Sequence, residues 1–204
     1  CPLPARAQLS VELPAGIEEA AAMTENSSRA VTLYTDGACA PNPGRGGYGV
    51  LLFRNGTRQE LSGGFLETTN NRMELFSVIT GLRALQEAEP LAVTIYSDSR
   101  YVVDMYSGGY ASRWRSNGWR KGDRQPALNV DLWTELLDLC ARHEVKFVWV
   151  RGHADNADNA RCDELAVLAR QRNDLPADPG YQRPAIMQQL SLFDLPASAN
   201  PLGG

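Results

Sequence analysis

The sequence has no long apolar run, few cysteines and only two histidines. No apolar stretch reaches the length of about 18 residues that a membrane-spanning helix needs, so we expect no such helix. The four cysteines lie far apart without a C-x-x-C pair. Their spacing fits neither a zinc ribbon nor a dense disulfide framework, and it favours reduced thiols in the cytoplasm. The opening residues lack a basic start followed by an apolar segment, so we expect no secretory signal.

Composition and length indicate a globular chain with one domain and two extensions. Apolar residues make up 43% and charged residues 22% of the 204 residues, which is close to the globular average. Proline-containing, unpatterned sequence at both ends predicts a disordered N-terminal extension over 1–29, a domain over 30–171 and a flexible, proline-rich tail over 172–204. Since patterned sequence begins soon after Met23, we expect the native start there.

Hydrophobic periodicity predicts an α/β fold. The element order is β-β-β-α-β-α-α-β-α, which implies a five-stranded mixed sheet flanked by helices. An antiparallel meander would come first and parallel crossovers would follow. Strands are predicted over 30–36, 47–53, 58–65, 91–97 and 145–150, and the longer helices over 70–87, 129–143 and 159–171.

Four carboxylates stand near the ends of these elements. Asp36 and Asp98 close apolar strands, whereas Glu74 and Asp163 lie near the starts of helices. Strand ends form the natural crevice of an open α/β sheet, and carboxylates that converge there need cations. Oxygen ligands favour magnesium or manganese over zinc, and two such ions suit the hydrolysis of a phosphodiester. Taken singly, each acid could instead be a turn former or a helix cap.

Short motifs surround these acids in a fixed order. They are TDGAC at 35–39, NPGRGGYG at 42–49, TTNNRMEL at 68–75, SDSRYV at 97–102, NVDLW at 129–133, VRGH at 150–153 and RCDELA at 161–166. Together they resemble bacterial-type ribonuclease H, type I, over about residues 30–171. The resemblance implies a ribonuclease H-like fold and an endonuclease that hydrolyses the RNA strand of RNA/DNA hybrids, giving 5′-phosphate and 3′-hydroxyl ends.

The same resemblance assigns roles to individual residues. It implies two magnesium ions, with manganese possible, and a histidine, His153, that assists through proton transfer or product release. A loop histidine without a special task is the alternative for that residue. The metal ligands would be Asp36, Glu74, Asp98 and Asp163. The contacts to RNA 2′-hydroxyls would be Asn42, Asn70 and Asn71, and those to a DNA-strand phosphate Thr69 and Asn129.

The segment 110–128 is basic within a chain whose net charge is −4. Asp123 is its one acid. A local cationic patch with interleaved aromatic rings is typical of binding to a phosphate backbone. It resembles the basic protrusion that grips the DNA strand in some family members. The plainer interpretation is a solvated hairpin whose tryptophans pack internally. The residues that we expect to contact substrate here are Arg113, Trp114, Arg115, Trp119, Arg120 and Lys121.

The tail contains a short peptide, QLSLF at 189–193. It resembles the segment by which bacterial replication and repair proteins dock on the DNA sliding clamp. Leu192 and Phe193 would be the apolar anchors and Gln189 a polar contact, with folding back on the catalytic domain as the alternative. We expect a cytoplasmic monomer with no membrane partner.

Two other functions compete with the hybrid nuclease. One is a different enzyme on the same fold, such as a transposase, integrase or junction resolvase. The other is a non-catalytic RNA/DNA hybrid-binding module. The ordered motifs disfavour the first, and the presence of all four carboxylates disfavours the second.

Overall fold

A computed structural model of the chain describes residues 29–86, 89–152 and 156–182. It contains five strands and five helices within those ranges. The strands are β1 (Ala30–Cys39), β2 (Gly44–Arg54), β3 (Thr57–Thr68), β4 (Ala92–Ser97) and β5 (Glu144–Trp149). The helices are α1 (Asn70–Arg83), α2 (Arg100–Ser107), α3 (Tyr110–Ser116), α4 (Val130–Cys140) and α5 (Ala157–Arg170).

The strands form one mixed sheet in the order β3-β2-β1-β4-β5. β1 pairs with β2 and β2 with β3 in antiparallel fashion, whereas β1 pairs with β4 and β4 with β5 in parallel. The predicted α/β fold, with a meander followed by parallel crossovers, is therefore confirmed. The parallel part brings the carboxyl ends of β1 and β4 to one edge of the sheet.

Helices cover both faces of the sheet. On one face α5 lies directly on β2, where Gly47 and Gly49 leave no room for a Cβ beside the helix backbone. On the other face α1 packs on β1 and β2 and in turn contacts α4. Trp133 of α4 is fully buried in the core beneath α1 and joins the helices to the sheet. The start of α1 and the carboxyl ends of the strands are thus held against each other.

The structure corrects the number of the predicted helices and several of their ends; α4, for example, ends at Cys140 and not at residue 143. Three helices, rather than two, separate β4 from β5, because Gly108 and Gly109 end α2 before α3 begins. Gly109 has a φ of 66°, which favours glycine and interrupts helical geometry. In addition, α1 ends at Arg83, whereas the helical spacing predicted an end at residue 87.

The first eleven residues of the predicted tail pack on the domain. We call residues 172–182 the strap. The carbonyl oxygen of Pro176 accepts a hydrogen bond from the backbone N–H of Leu66 at 2.9 Å, and Leu175 is buried. Asp178 is also buried, and its carboxylate accepts hydrogen bonds from Thr68 and Arg72 at 2.6 Å each. Residues of the strap therefore contact the domain, and the predicted division into extension, domain and flexible tail stays a prediction.

None of the helices in the described ranges has the length and apolar character required to cross a membrane. Residues 1–28, which include Met23, lie outside the described residues. The same holds for the QLSLF peptide, with Gln189, Leu192 and Phe193.

Candidate active site

The parallel register of β1 and β4 brings two acidic residues together. Thr35 pairs with Ser97, so Asp36 and Asp98 each follow directly after a paired position. Asp36 is buried and Asp98 is half-buried. The edge of the sheet therefore carries two neighbouring carboxylates.

Glu74 reaches the same edge from α1. A Cβ at Gly37 would collide with the backbone of Met73 and Glu74, so β1 passes the helix at a distance that only glycine permits. One ligand atom from each of Asp36, Glu74 and Asp98 lies within 4.8 Å of the other two. We call these three residues the carboxylate cluster.

Burial and repulsion favour the neutral forms of Asp36 and Glu74 when no cation is bound. Burial, with the charges of Asp98 and Asp163 added, raises the pKa of Asp36 to about 8. The backbone N–H of Gly37 donates a hydrogen bond to Oδ1 of Asp36 at 2.7 Å, which lowers the pKa of Asp36 but does not offset the other two effects. Burial and the charges of Asp36 and Asp98 likewise raise the pKa of Glu74 well above its ordinary value. Positive charge nearby would therefore favour the ionised forms of Asp36 and Glu74.

The residues of the cluster fit a hard divalent cation. Oε1 of Glu74 accepts a hydrogen bond from Asn70 at 3.4 Å, whereas its Oε2 is buried without a hydrogen-bond partner among the described residues. A buried carboxylate oxygen without a donor is costly unless a ligand occupies the space in front of it. Three carboxylate oxygens converging on one point are the donor set of magnesium or manganese.

The fourth predicted acid lies near the cluster but not within it. Asp163 is half-buried on α5, and its charge contributes to the raised pKa of Asp36. His153 lies outside the described residues, so its role stays a prediction. Its neighbour Gly152 is described, and a Cβ there would collide with Oδ2 of Asp98. The backbone at Gly152, which precedes His153, therefore passes close to the side chain of Asp98.

The sequence interpretation missed Asn159. This residue of α5 is only 1% exposed, and its Nδ2 donates a hydrogen bond to Oδ2 of Asp98 at 3.4 Å. Its Oδ1 is buried without a partner in the described part of the chain. Asn159 lies one helical turn before Asp163 and shares its face, and this spacing is the signal that could have identified it.

Trp149 was also missed. Its indole N–H donates a hydrogen bond to the backbone oxygen of Asp98 at 3.0 Å. The guanidinium carbon of Arg100 lies 3.6 Å from the centroid of the same ring. The tryptophan therefore fixes the backbone at the end of β4, and a cation–π contact covers its outer face. No local pattern signals this pairing, because it joins the end of β5 to the start of α2.

The predicted contacts to the two strands lie around one cavity, which we call the groove. It has a volume of about 880 Å³ and is bordered by the start of α1, the start of α4 and the end of the strap. The backbone N–H of Asn70 donates a hydrogen bond to Oδ1 of Asn42 at 3.2 Å, which connects the groove to Glu74 through Asn70. The lining residues include Asn42, Thr69, Asn71 and Asn129.

Thr69 and Asn129 also have structural tasks. Oγ1 of Thr69 accepts a hydrogen bond from the backbone N–H of Arg72 at 3.4 Å and so caps α1. Asn129 has a φ of 56°, and its side-chain amide donates to the hydroxyl of Tyr101 at 3.3 Å. Both side chains are thereby held at fixed positions on the wall of the groove.

The basic segment 110–128 combines packed rings with exposed cations. Trp114 and Trp119 pack against the core, and the ring of Trp114 meets that of Trp133 edge to face. Arg115 donates to Asp138 of α4 at 2.7 Å, so its charge is partly balanced. Arg113 is exposed and lies over the ring of Tyr110. Arg120 is also exposed, and Lys121 is half-buried. The rings brace the segment, and its substrate contacts stay a prediction.

Neutralising one carboxylate of the cluster should stabilise the metal-free protein. In chelator, Asp36→Asn should raise the free energy of unfolding at pH 8 by more than about 1.4 kcal/mol, the equivalent of one pKa unit. The folded-state pKa of Asp36 is about 8, which is above the ordinary value of 3.8. Stability contributed by the protonated group is therefore lost as the pH rises from about 4 to 8. The gain from Asp36→Asn should accordingly be smaller at pH 5 than at pH 8.

Denaturant unfolding at both pH values measures this effect. Asp104→Asn, on the exposed face of α2, is the matched control and should change little. A stability of Asp36→Asn that is equal to or below the wild type at pH 8 would contradict the repulsion.

Comparison with known proteins agrees with this geometry. Residues 28–171 match the RNase H family model. A ribonuclease H of Trichodesmium erythraeum is 54% identical over 160 residues, covering 78% of this chain and all of that protein. The crystal structure of LC9-RNase H1, a type 1 RNase H, covers 70% of this chain and 72% of its own at 35% identity, with a TM-score of 0.62. LC11-RNase H1 in complex with an RNA/DNA hybrid is 26% identical and has a TM-score of 0.54, covering 68% and 95%. The resemblance of the motifs is confirmed, and the chain belongs to the ribonuclease H family.

Proposed function

We propose that this protein is an endonuclease that hydrolyses the RNA strand of RNA/DNA hybrids. The observation that carries the proposal is the convergence of Asp36, Glu74 and Asp98 at one edge of the sheet. Such a cluster is unfavourable by itself and becomes favourable when cations and a phosphate group bind beside it. Membership of the ribonuclease H family supports the activity, and LC11-RNase H1 provides a related protein that binds a hybrid.

In this mechanism Asp36, Glu74 and Asp98, together with Asp163, would hold two magnesium ions, which manganese could replace. Ions bound there would supply Lewis-acid activation of a water and charge stabilisation for the leaving oxygen of an in-line displacement. The water adds to phosphorus and the 3′-oxygen of the preceding nucleotide leaves, so the products carry 5′-phosphate and 3′-hydroxyl ends.

Other residues of the chain keep these ligands in place and move the proton. Asn159 donates to Asp98, and Asn70 donates to Glu74, which fixes both carboxylates before substrate arrives. His153 takes up or releases a proton near neutral pH, or assists the release of product. Pre-positioned ligands reduce the reorganisation required in the transition state.

The groove and the basic segment recognise the duplex. Asn42, Asn70 and Asn71 offer amide groups to the 2′-hydroxyls of the RNA strand, which distinguish RNA from DNA. Thr69 and Asn129 face the groove and bind a phosphate of the DNA strand. The rings and cations of the basic segment grip the DNA strand further along, through Arg113, Trp114, Arg115, Trp119, Arg120 and Lys121.

Cleavage of end-labelled substrates tests the activity. With magnesium, the wild type should cut only the RNA strand of a hybrid and leave double-stranded RNA, duplex DNA and single-stranded RNA intact. Chelator should abolish the cut, and Asp36→Asn should slow it by about three orders of magnitude, since it removes charge at the reacting group. Glu144→Gln, exposed at the opposite end of β5, is the control that should retain full activity.

Other outcomes of this assay separate the competing functions. Tight hybrid binding without cleavage would support a non-catalytic binding module. Cleavage of duplex DNA would point to another enzyme class on the same fold.

The salt dependence of binding tests the basic segment. The double variant Arg113→Gln plus Arg120→Gln should weaken hybrid binding and flatten the plot of log affinity against log salt, by about one unit of slope for each phosphate that is no longer neutralised. The control is Arg58→Gln. Arg58 lies at the end of the sheet opposite to the carboxylate cluster, so this change should leave the slope unaltered. An unaltered slope in the double variant would remove the segment from the interface.

We also propose that the tail peptide docks on the DNA sliding clamp. Gln189, Leu192 and Phe193 would occupy the clamp, with the two apolar side chains as anchors. A pull-down from purified components should lose the clamp when Leu192→Ala and Phe193→Ala are combined. Retention of the clamp by the double variant would end the proposal.

The cellular setting that we propose is the cytoplasm. The protein acts there as a monomer with a catalytic domain over 30–171. Cys39, Cys140 and Cys162 are free thiols, which suits a reducing compartment.

A further inference from the structure

The strap is fixed at its far end by a buried ion-pair network. Arg72 of α1 is 2% exposed, and its Nε and Nη2 donate to Asp178 at 2.6 and 2.8 Å. The same guanidinium donates to Asp131 of α4 through Nη1 at 2.9 Å and Nη2 at 2.6 Å. Paired carboxylates on both sides raise the pKa of Arg72 despite its burial, so the guanidinium stays charged. The network therefore ties the strap to the two helices that border the groove.

The strap passes closely over this network and then reaches the groove. A Cβ at Gly180 would collide with Asp131 and Arg72, so the backbone there lies flat on the ion pairs. The backbone N–H of Gly180 donates to Asp178 at 3.1 Å. Gly180, Tyr181 and Gln182 line the groove, and Gln182 is exposed. The strap thus supplies one wall of the cavity that contains Thr69 and Asn129.

The charge of the groove is unusual for a site that receives a phosphate. Its lining within the described ranges includes one cation, Arg72, and that cation is already shared between two carboxylates. The other side chains in the lining that can donate a hydrogen bond are neutral. They include Asn71, Asn129 and Gln182. A phosphate in the groove would therefore be held by neutral donors, a common type of contact to the nucleic-acid backbone.

We propose that the end of the strap is part of the DNA-strand site, and that the side-chain amide of Gln182 donates a hydrogen bond to a backbone phosphate of that strand. This inference rests on the proposed function, since it takes the part of the groove lined by Thr69 and Asn129 as the place of a DNA-strand phosphate. The strap is anchored at Asp178 and Gly180 and presents Gln182 on the groove that Asn129 also lines, so little ordering of the strap is needed when the duplex binds. Gln182 is thus a substrate-binding residue that contributes to affinity and not to the chemical step.

Variants at Gln182 test the contact. Gln182→Ala should weaken hybrid binding about 3–10-fold, which is the range of a typical hydrogen bond, because Gln182 is exposed and water competes for the phosphate. Gln182→Glu should weaken it more, because an acceptor-only carboxylate repels the phosphate. The KM for cleavage should rise while kcat stays constant, since the contact is equally present in the bound and transition states. The salt slope of Gln182→Ala should match the wild type, because no charge is removed.

Gln86→Ala is the matched control. Gln86 is exposed beyond the carboxyl end of α1, away from the groove, and its removal should change neither binding nor cleavage. Equal hybrid affinity for wild type, Gln182→Ala and Gln182→Glu would overturn the inference. A fall in kcat at constant KM would also overturn it.

Single methylphosphonate substitutions identify the strand. Removing the charge of one DNA-strand phosphate should weaken binding to the wild type, and this effect should be smaller in Gln182→Ala because the two changes disrupt the same hydrogen bond. If the coupled phosphate lies in the RNA strand, the assignment to the DNA strand is wrong.

Binding is measured in chelator, so this test does not depend on cleavage. If the wild type binds the hybrid but never cuts it, the proposed activity fails while the Gln182 comparison still decides the contact. If the wild type cuts and the Gln182 variants bind normally, the contact fails while the activity stands. A wild type that neither binds nor cuts hybrid overturns both.

Discussion

The parallel pairing of β1 with β4 is the constraint on which the candidate site depends. It brings two strand ends to the same edge, so two carboxylates become neighbours although they are more than sixty positions apart in the chain. Gly37 then allows α1 to approach β1 closely enough for Glu74 to join them. Because the backbone is held by the sheet and by the buried face of α1, the carboxylates cannot separate to relieve their repulsion. The fold therefore supplies the free energy that keeps a cation site open.

Much of this arrangement could be predicted from local patterns. Apolar alternation identified all five strands, and the acids at their ends pointed to one edge of an α/β sheet. The interactions that were missed join residues far apart in the chain. Trp149 reaches the end of β4 from the end of β5, and Asp178 reaches Arg72 from the strap. A proline-containing stretch such as the strap has a flexible composition, and only its tertiary partners order it.

The ends of the helices were also hard to predict from the sequence. The break between α2 and α3 lies at Gly108 and Gly109. Glycine can adopt helical as well as left-handed backbone angles, so the sequence does not show whether the helix continues through this pair or ends there. The end of α1 at Arg83 shows a similar limit, since the apolar spacing continues to Leu85 while the helix does not. Periodicity reports which side chains face the core and does not report where backbone hydrogen bonding stops.

The strap also has a consequence for the order in which the domain is completed during synthesis on the ribosome. Arg72 and Asp131 can meet once α4 has left the ribosome, whereas Asp178 follows Arg72 by 106 residues. The carboxylates of β1, α1, β4 and α5 all precede the strap, so the nascent domain acquires its acidic residues before its groove has a third wall. Until Asp178 emerges, the buried guanidinium has only one of its two carboxylate partners. The strap therefore completes the surface on which substrate would lie only after every carboxylate of the site has been synthesised.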